Sequence, residues 1–224
     1  METLEKNPET HDPFEEVRAV ILPQALSLAV FEGFTASMLE EAAEFSDVDR
    51  ASLKAAFPGG VKDLLTYWTE ETNEICRNRA SQEDFDSLKI REKVAALVLA
   101  RLDHLEPHKE AARRAAAYLS IPGNHTLGAK LAWSASDAIW RALNDTSTDF
   151  NFYSKRAILT GVWTSTLAFW FADNSDDMEE TKRFLDDRIG NVMQIEKAKA
   201  KIRKWGIDPA APISWLAKLR YPAP

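Results

Sequence analysis

Residues 33–65 read GFTASMLEEAAEFSDVDRASLKAAFPGGVKDLL, and their punctuation decides what kind of protein this chain can be. Gly33 stops whatever precedes it, and Thr35 is suited to cap a helix. Met38, Leu39, Ala42, Ala43 and Phe45 then fall on one face at helical spacing. SDVDRASLKAAF, residues 46–57, reads as a second short helix capped by Ser46 or Asp47. Pro58-Gly59-Gly60 breaks it before a new apolar pattern opens at Val61. A longer helix precedes both, from about Phe14 to Phe31, in which Pro23 predicts a kink. Two short helices joined by a tight turn after a longer one have helix-turn-helix proportions.

Downstream the helical period continues. Helices are expected over Val61–Arg79, Leu88–Leu105, a stretch with Pro107 in its first turn ending near Leu119, and His125–Leu143. An eighth, capped by Ser147, Thr148 or Asp149, runs to Ala172, and a ninth is capped by Ser175 with Asp176 and Asp177. No stretch alternates convincingly as a strand would. Eight Gly in 224 residues suit helices better than a turn-rich sheet, and seven Trp with eleven Phe supply a core. The chain is therefore expected to be all-α, a bundle of about nine helices. Its expected organisation is a disordered N-terminus over 1–13, a helix-turn-helix-like unit over 14–80, a helical bundle over 81–198 and a basic aromatic tail over 199–224.

Charge bears on function. Net charge is −7, yet from Lys197 onward seven bases face one acid, Asp208, so a tail of +6 follows a body of −13. Residues 31–65 hold seven acids and three bases, with Asp47 and Asp49 at the start of the would-be recognition helix. That end has to approach phosphates, and two carboxylates there repel them, so nucleic acid is not expected as a partner. A transcription regulator with a hydrophobic ligand pocket is the alternative reading.

Catalytic chemistry is not legible. His104 and His108 are four apart, but Pro107 between them separates the rings, so no metal site is expected. Neither a Gly-rich phosphate loop nor a Ser or Cys nucleophile motif occurs, and Cys76 has no partner for a disulfide. METLEKNPETHDPF has no apolar core of a signal peptide, which predicts a cytoplasmic protein. The longest uncharged run, Ala157–Ala172, has sixteen residues, short of the roughly 20 needed to span a bilayer.

The apolar content is concentrated. FNFYSKRAILTGVWTSTLAFWF, residues 150–171, is apolar nearly all round and should be surrounded on several sides. Leu159, Trp163, Leu167 and Trp170 form one stripe, and Ala157, Gly161 and Ala168 a second of small residues. With Leu131, Trp133 and Trp140 of the preceding helix, the large stripe either fills a core or lines an apolar pocket between helices. The tail combines its bases with Trp205, Ile213, Trp215, Leu216, Leu219 and Tyr221. A short amphipathic helix over Pro212–Arg220 needs a surface, either the protein's own or an anionic membrane.

DAIWRALNDTSTDFNFYSKRAILTGVW, residues 137–163, and FLDDRIGNVMQIEK, residues 184–197, resemble the coenzyme Q biosynthesis protein nine family, as do FPGGVKDLLTYW and LEPHKEAARRAAAYL. The resemblance implies a tetracycline-repressor-like fold, often dimeric, whose vestigial helix-turn-helix unit has lost DNA binding. It implies a lipid-binding accessory of ubiquinone biosynthesis, without a cofactor or chemistry of its own. Such a protein presents isoprenoid quinone intermediates from the membrane to a di-iron hydroxylase. On this chain the implied hydroxylase patch falls at Ile139, Asp149, Phe152 and Tyr153. A peripheral position on the inner face of the cytoplasmic membrane follows from the tail.

Overall fold

The structure, a computed structural model, describes residues 14–204, apart from the side chains of residues 149, 150 and 193–204. These residues form nine α-helices with three short 3-10 turns between them, and among them no strand occurs. They fall into two compact units, divided between Ala172 and Asp173.

In the first unit, α1 (Glu15–Glu32), α2 (Ala36–Phe45) and α3 (Arg50–Ala56) pack on one another as the helix-turn-helix proportions require. Ile21, Leu22, Ala25, Leu26 and Ala29 form the buried stripe of α1, with neighbours three or four residues apart along one face. Pro23 lies inside this helix and does not end it. Thr35 caps α2 as expected, its hydroxyl accepting the Met38 N–H at 3.1 Å. The cap of α3 differs from the expectation of Ser46 or Asp47. Ser46 is occupied closing α2: its N–H reaches the Ala42 and Ala43 carbonyls, and its hydroxyl donates to Ala42 O at 2.8 Å. Asp47 takes a left-handed turn, φ 54°, so the chain is not extended enough to start a helix until Asp49. There Oδ1 accepts from the Ala51 and Ser52 N–H groups at 2.8 and 3.0 Å, while the Ser52 hydroxyl donates to Oδ2 at 2.7 Å.

The remaining helices of this unit are α4 (Val61–Ala80), α5 (Ile90–Leu105), α6 (Lys109–Ser120), α7 (His125–Ala142) and α8 (Asp149–Ala172). α4 packs against both α5 and α7, and α7 lies along α8. Pro107 falls in a 3-10 turn over Glu106–His108, so α6 starts two residues later, at Lys109. α8 is not enclosed on all sides as its composition suggests. Leu159, Val162, Trp163, Thr166 and Trp170 are buried at helical spacing, whereas Ala157, Gly161, Thr164 and Ala168 are exposed. Among the described residues no helix is long and apolar enough to cross a membrane.

The second unit holds α9 (Glu179–Lys204) and the turn before it. Ser175, expected as the cap, does accept the Glu180 N–H, at 3.1 Å. Asp173 carries the larger part. It accepts from the N–H and hydroxyl of Ser175 at 2.8 and 2.6 Å, and from the N–H and hydroxyl of Thr181 at 2.8 and 2.5 Å. Burial alone raises the Asp173 pKa, but these four donors outweigh it and hold the carboxyl well below the usual range.

Because the folded-state pKa is depressed, this stabilisation is complete above the unfolded value of about 4 and is lost as pH falls below it. Asp173→Ala should lower protection of the Thr181 amide against hydrogen exchange by about 1 kcal/mol at pH 7, as for a lost helix cap. Amide exchange measured at neutral pH and again near pH 3 should show the gap between wild type and variant beginning to narrow at the lower pH.

Candidate functional site

Helices α4 to α8 leave between them a cavity of about 550 Å³, within the range of sites that hold small molecules. The hole has a sequence cause. α6 and α7 face it with small residues, Ala112, Ala115 and Ala116 on one and Gly128, Ala132 and Ala135 on the other, which cannot fill the space. Gly128 also sets how near the two helices come, because a Cβ there would lie 3.2 Å from both the Cβ and the carbonyl oxygen of Leu119. Large side chains wall the rest: Trp68 of α4, Leu105 of α5, and Trp163, Leu167 and Phe171 of α8.

Three of the seven residues expected to contact lipid line this cavity, namely Leu131, Trp163 and Leu167. Leu159 and Trp170 are buried elsewhere in the packing, and the Trp170 indole N–H donates to Glu106 Oε2 at 2.6 Å. Trp133 and Trp140 are half-buried nearer the α7–α8 connection. The Trp133 ring lies 6.3 Å from that of Tyr153, and the Trp140 indole donates to the Lys155 carbonyl at 3.2 Å. Helical spacing places a residue on a face but does not tell which level of that face meets a gap.

Arg101 of α5 is a lining residue that the sequence reading missed. It is 2% exposed, with the guanidinium 4.8 Å over the Trp163 ring and Nη1 donating to Asn73 Oδ1 at 2.6 Å and to the Thr72 carbonyl at 3.3 Å. Its signal was available: Val94, Leu97, Val98, Leu102 and Leu105 make an apolar stripe, and Arg101 is the one base in it.

The connection between α7 and α8 is a second feature. α7 ends at Ala142, Asn144 turns the chain with φ 53°, and Asp145 faces back onto α8. Asp145 Oδ1 accepts from Ser147 Oγ at 2.8 Å and from Lys155 Nζ at 2.7 Å. Burial raises the Asp145 pKa, but Lys155 and Ser147 together bring it below the usual value. Arg156, 2% exposed, donates through Nε to Asp137 Oδ1 at 2.5 Å and lies 3.5 Å from Asp145 Oδ2. Arg156 is therefore turned inward, and it ties the helices together with Lys155, whose side chain stays partly exposed. The Ser147 hydroxyl likewise donates to Asp145.

The expected hydroxylase patch is partly assembled. Tyr153 is 63% exposed and meets Phe152 edge to face at 5.2 Å. Phe152 is half-buried with the Arg156 guanidinium 3.5 Å above its ring. Ile139 is fully buried and reaches no surface, so it can only support the patch from beneath. Asp149 opens α8, and its side chain lies outside the described residues. Trp205, Ile213, Trp215, Leu216, Leu219 and Tyr221 also lie outside them.

Residues 125–196, which include the connection and most of α7 to α9, match the COQ9 family model, so the resemblance read from the sequence holds. The chain is 28% identical over 205 residues to the ubiquinone biosynthesis protein COQ9, mitochondrial, of Rattus norvegicus, covering 88% of this chain and 65% of that protein. To the Homo sapiens protein of the same name it is 28% identical over 204 residues, covering 88% and 64%. It thus spans just under two thirds of the length of these relatives. A TetR transcriptional regulator from Nitrosomonas europaea has the same fold, with a TM-score of 0.64 over 79% of this chain and 97% of that one. Identity to it is 18%, so the likeness concerns the fold alone.

The two arms of the α7–α8 connection should respond differently to substitution. Arg156→Met removes the cation from Asp137 and Asp145 and should cost about 3 kcal/mol of unfolding free energy. Tyr153→Ala, at an exposed ring, should change it by less than about 0.5 kcal/mol. Denaturant unfolding of the two variants checks both values.

Proposed function

We propose that this chain is a non-enzymatic, lipid-binding accessory protein of ubiquinone biosynthesis. It binds isoprenoid quinone intermediates and presents them from a membrane to a hydroxylase. The observation that carries this reading is the cavity of about 550 Å³ walled by Trp68, Leu105, Leu131, Trp163, Leu167 and Phe171. Each methylene moved from water into such walls contributes about 0.8 kcal/mol, so an isoprenoid chain is held without any specific polar contact. The names of the COQ9 relatives supply the pathway.

The exposed Tyr153, braced by Phe152, is the contact for the hydroxylase, since an aromatic ring on a rigid helix supplies much of the energy of a docking surface. The basic aromatic tail, 199–224, makes the peripheral membrane contact at the inner face of the cytoplasmic membrane. Homodimer formation uses the outward small-residue face of α8, where Ala157 and Gly161 admit a second helix closely. A DNA-reading role is disfavoured by Asp49. Its carboxylate, held below the usual pKa by the Ser52 hydroxyl and two backbone N–H groups, occupies the α3 N-terminus that a phosphate would need.

Organic extraction of the purified protein followed by mass spectrometry should recover isoprenoid quinone species, and recovery of no lipid from wild type defeats the reading. Ala132→Phe, which places a ring in the cavity, should fold and carry at least about tenfold less of them. Tyr153→Ala should retain the lipid and lose hydroxylase binding in a pull-down.

A further inference from the structure

Arg101 and Arg156 are equally buried, each 2% exposed. Arg156 faces two carboxylates, but among the described residues none stands within ion-pair distance of Arg101. Its neighbours are the Asn73 amide oxygen, the Thr72 carbonyl, the Cys76 sulfur at 3.9 Å and the Trp163 ring. Burial pushes the Cys76 thiol up, so it remains neutral and does not offset the charge. The amide is aimed by design of the packing, because Asn73 Nδ2 donates to Ser134 Oγ at 3.1 Å and so turns Oδ1 toward the guanidinium. One edge is left over: Arg101 Nε is buried without a hydrogen-bond partner. A buried cation with an unmet donor on the wall of an apolar cavity is costly unless something in the cavity answers it.

We propose that Arg101 recognises a carboxylate carried at one end of the amphiphile that occupies the cavity, and thereby fixes which way round that amphiphile lies. The proposal rests on the reading of the cavity as a lipid site. A carboxylate is planar and meets a guanidinium edge with two acceptor oxygens, the geometry an unused Nε edge demands. Ser120 and His125 border the cavity where α6 meets α7, while two hydroxyl residues border it at this end. Thr72 borders it, and Thr160, a lining residue one turn before Trp163, has its hydroxyl 3.0 Å from Ser136 Oγ and 2.8 Å from the Arg156 carbonyl. From Trp163 the wall of α8 continues through Leu167 to Phe171, eight residues and about 12 Å further on. The acid end therefore lies on the side of the α7–α8 connection, about two turns from Arg156, and the chain runs toward Phe171.

Tryptophan fluorescence titration of the full chain with dodecanoate and with dodecanol tests this. The two share a tail and differ in the charged end. Wild type should bind dodecanoate about tenfold more tightly or better, the difference a charge-assisted bond makes. Arg101→Met should bind both alike, with the affinity for dodecanol kept and no loss of thermal stability. A parallel titration with 4-octylbenzoate against 4-octylbenzyl alcohol tells an alkanoate from an aryl carboxylate as the preferred end. Equal affinity of wild type for acid and alcohol in both pairs overturns the head-group proposal while leaving the lipid site standing. Failure of all four probes to bind removes the lipid site with it. The wild-type comparison decides the matter even where the variant does not fold, and a preference retained in Arg101→Met also overturns the proposal.

Discussion

The first unit hinges on a buried cation that is matched. Arg156 enters the packing of α8 against α7, and Asp137 and Asp145 meet it from the two sides of the connection. Were either carboxylate missing, the desolvation of the guanidinium would oppose the packing that brings α8 to α7. With both present, α8 is held in one register, and that register sets everything along it. Phe152 is pinned under the guanidinium, Tyr153 is turned out, and three turns further on Trp163, Leu167 and Phe171 face the gap left by the alanines of α6 and α7. The Tyr153 ring and the cavity wall are thus positions on one rigid rod, and neither can be moved without the other.

The helices were legible because apolar residues recur at three and four places apart, and because Gly, Pro and cap residues mark their ends. The cap of α3 falls elsewhere than residue type suggests, for a physical reason. Ser46 looks as suitable as Asp49, but which oxygen serves depends on where the backbone is extended and where it turns left-handed, as at Asp47. Residue type carries little of that information. The same holds for Lys155 and Arg156. A run of aromatics and bases reads as a binding surface, and it took the positions of Asp137 and Asp145 to show Arg156 turned inward and Lys155 paired.

The cavity was legible only in part, since a void is an absence of atoms and leaves no period of its own. Its large walls, Leu131, Trp163 and Leu167, came from the apolar stripes. Its cause lies in small residues on α6 and α7 that sequence reading passes over as ordinary helix formers. Trp140 and Trp170, the more conspicuous side chains, turned out to be engaged by Lys155 and Glu106. The N-terminal unit shows the opposite case. Its shape matched the helix-turn-helix proportions, and the acidic character visible in the sequence is built into the fold, with Asp49 spent on the cap of α3.

Arg101 and Arg156 together say what the fold spends its stability on. A protein selected for stability alone would place an apolar side chain at 101, where the stripe from Val94 to Leu105 asks for one, and would enlarge the alanines facing it. Both changes are open to simple substitution, and both would erase the cavity or its one charged contact. An apolar void costs dispersion contacts along its whole lining, and an unpaired buried cation costs solvation. The two costs fall on the same wall, Trp163 touching the void on one side and the guanidinium on the other. Chance defects have no reason to coincide in this way, whereas a single occupant with an apolar body and an acidic end would offset both at once.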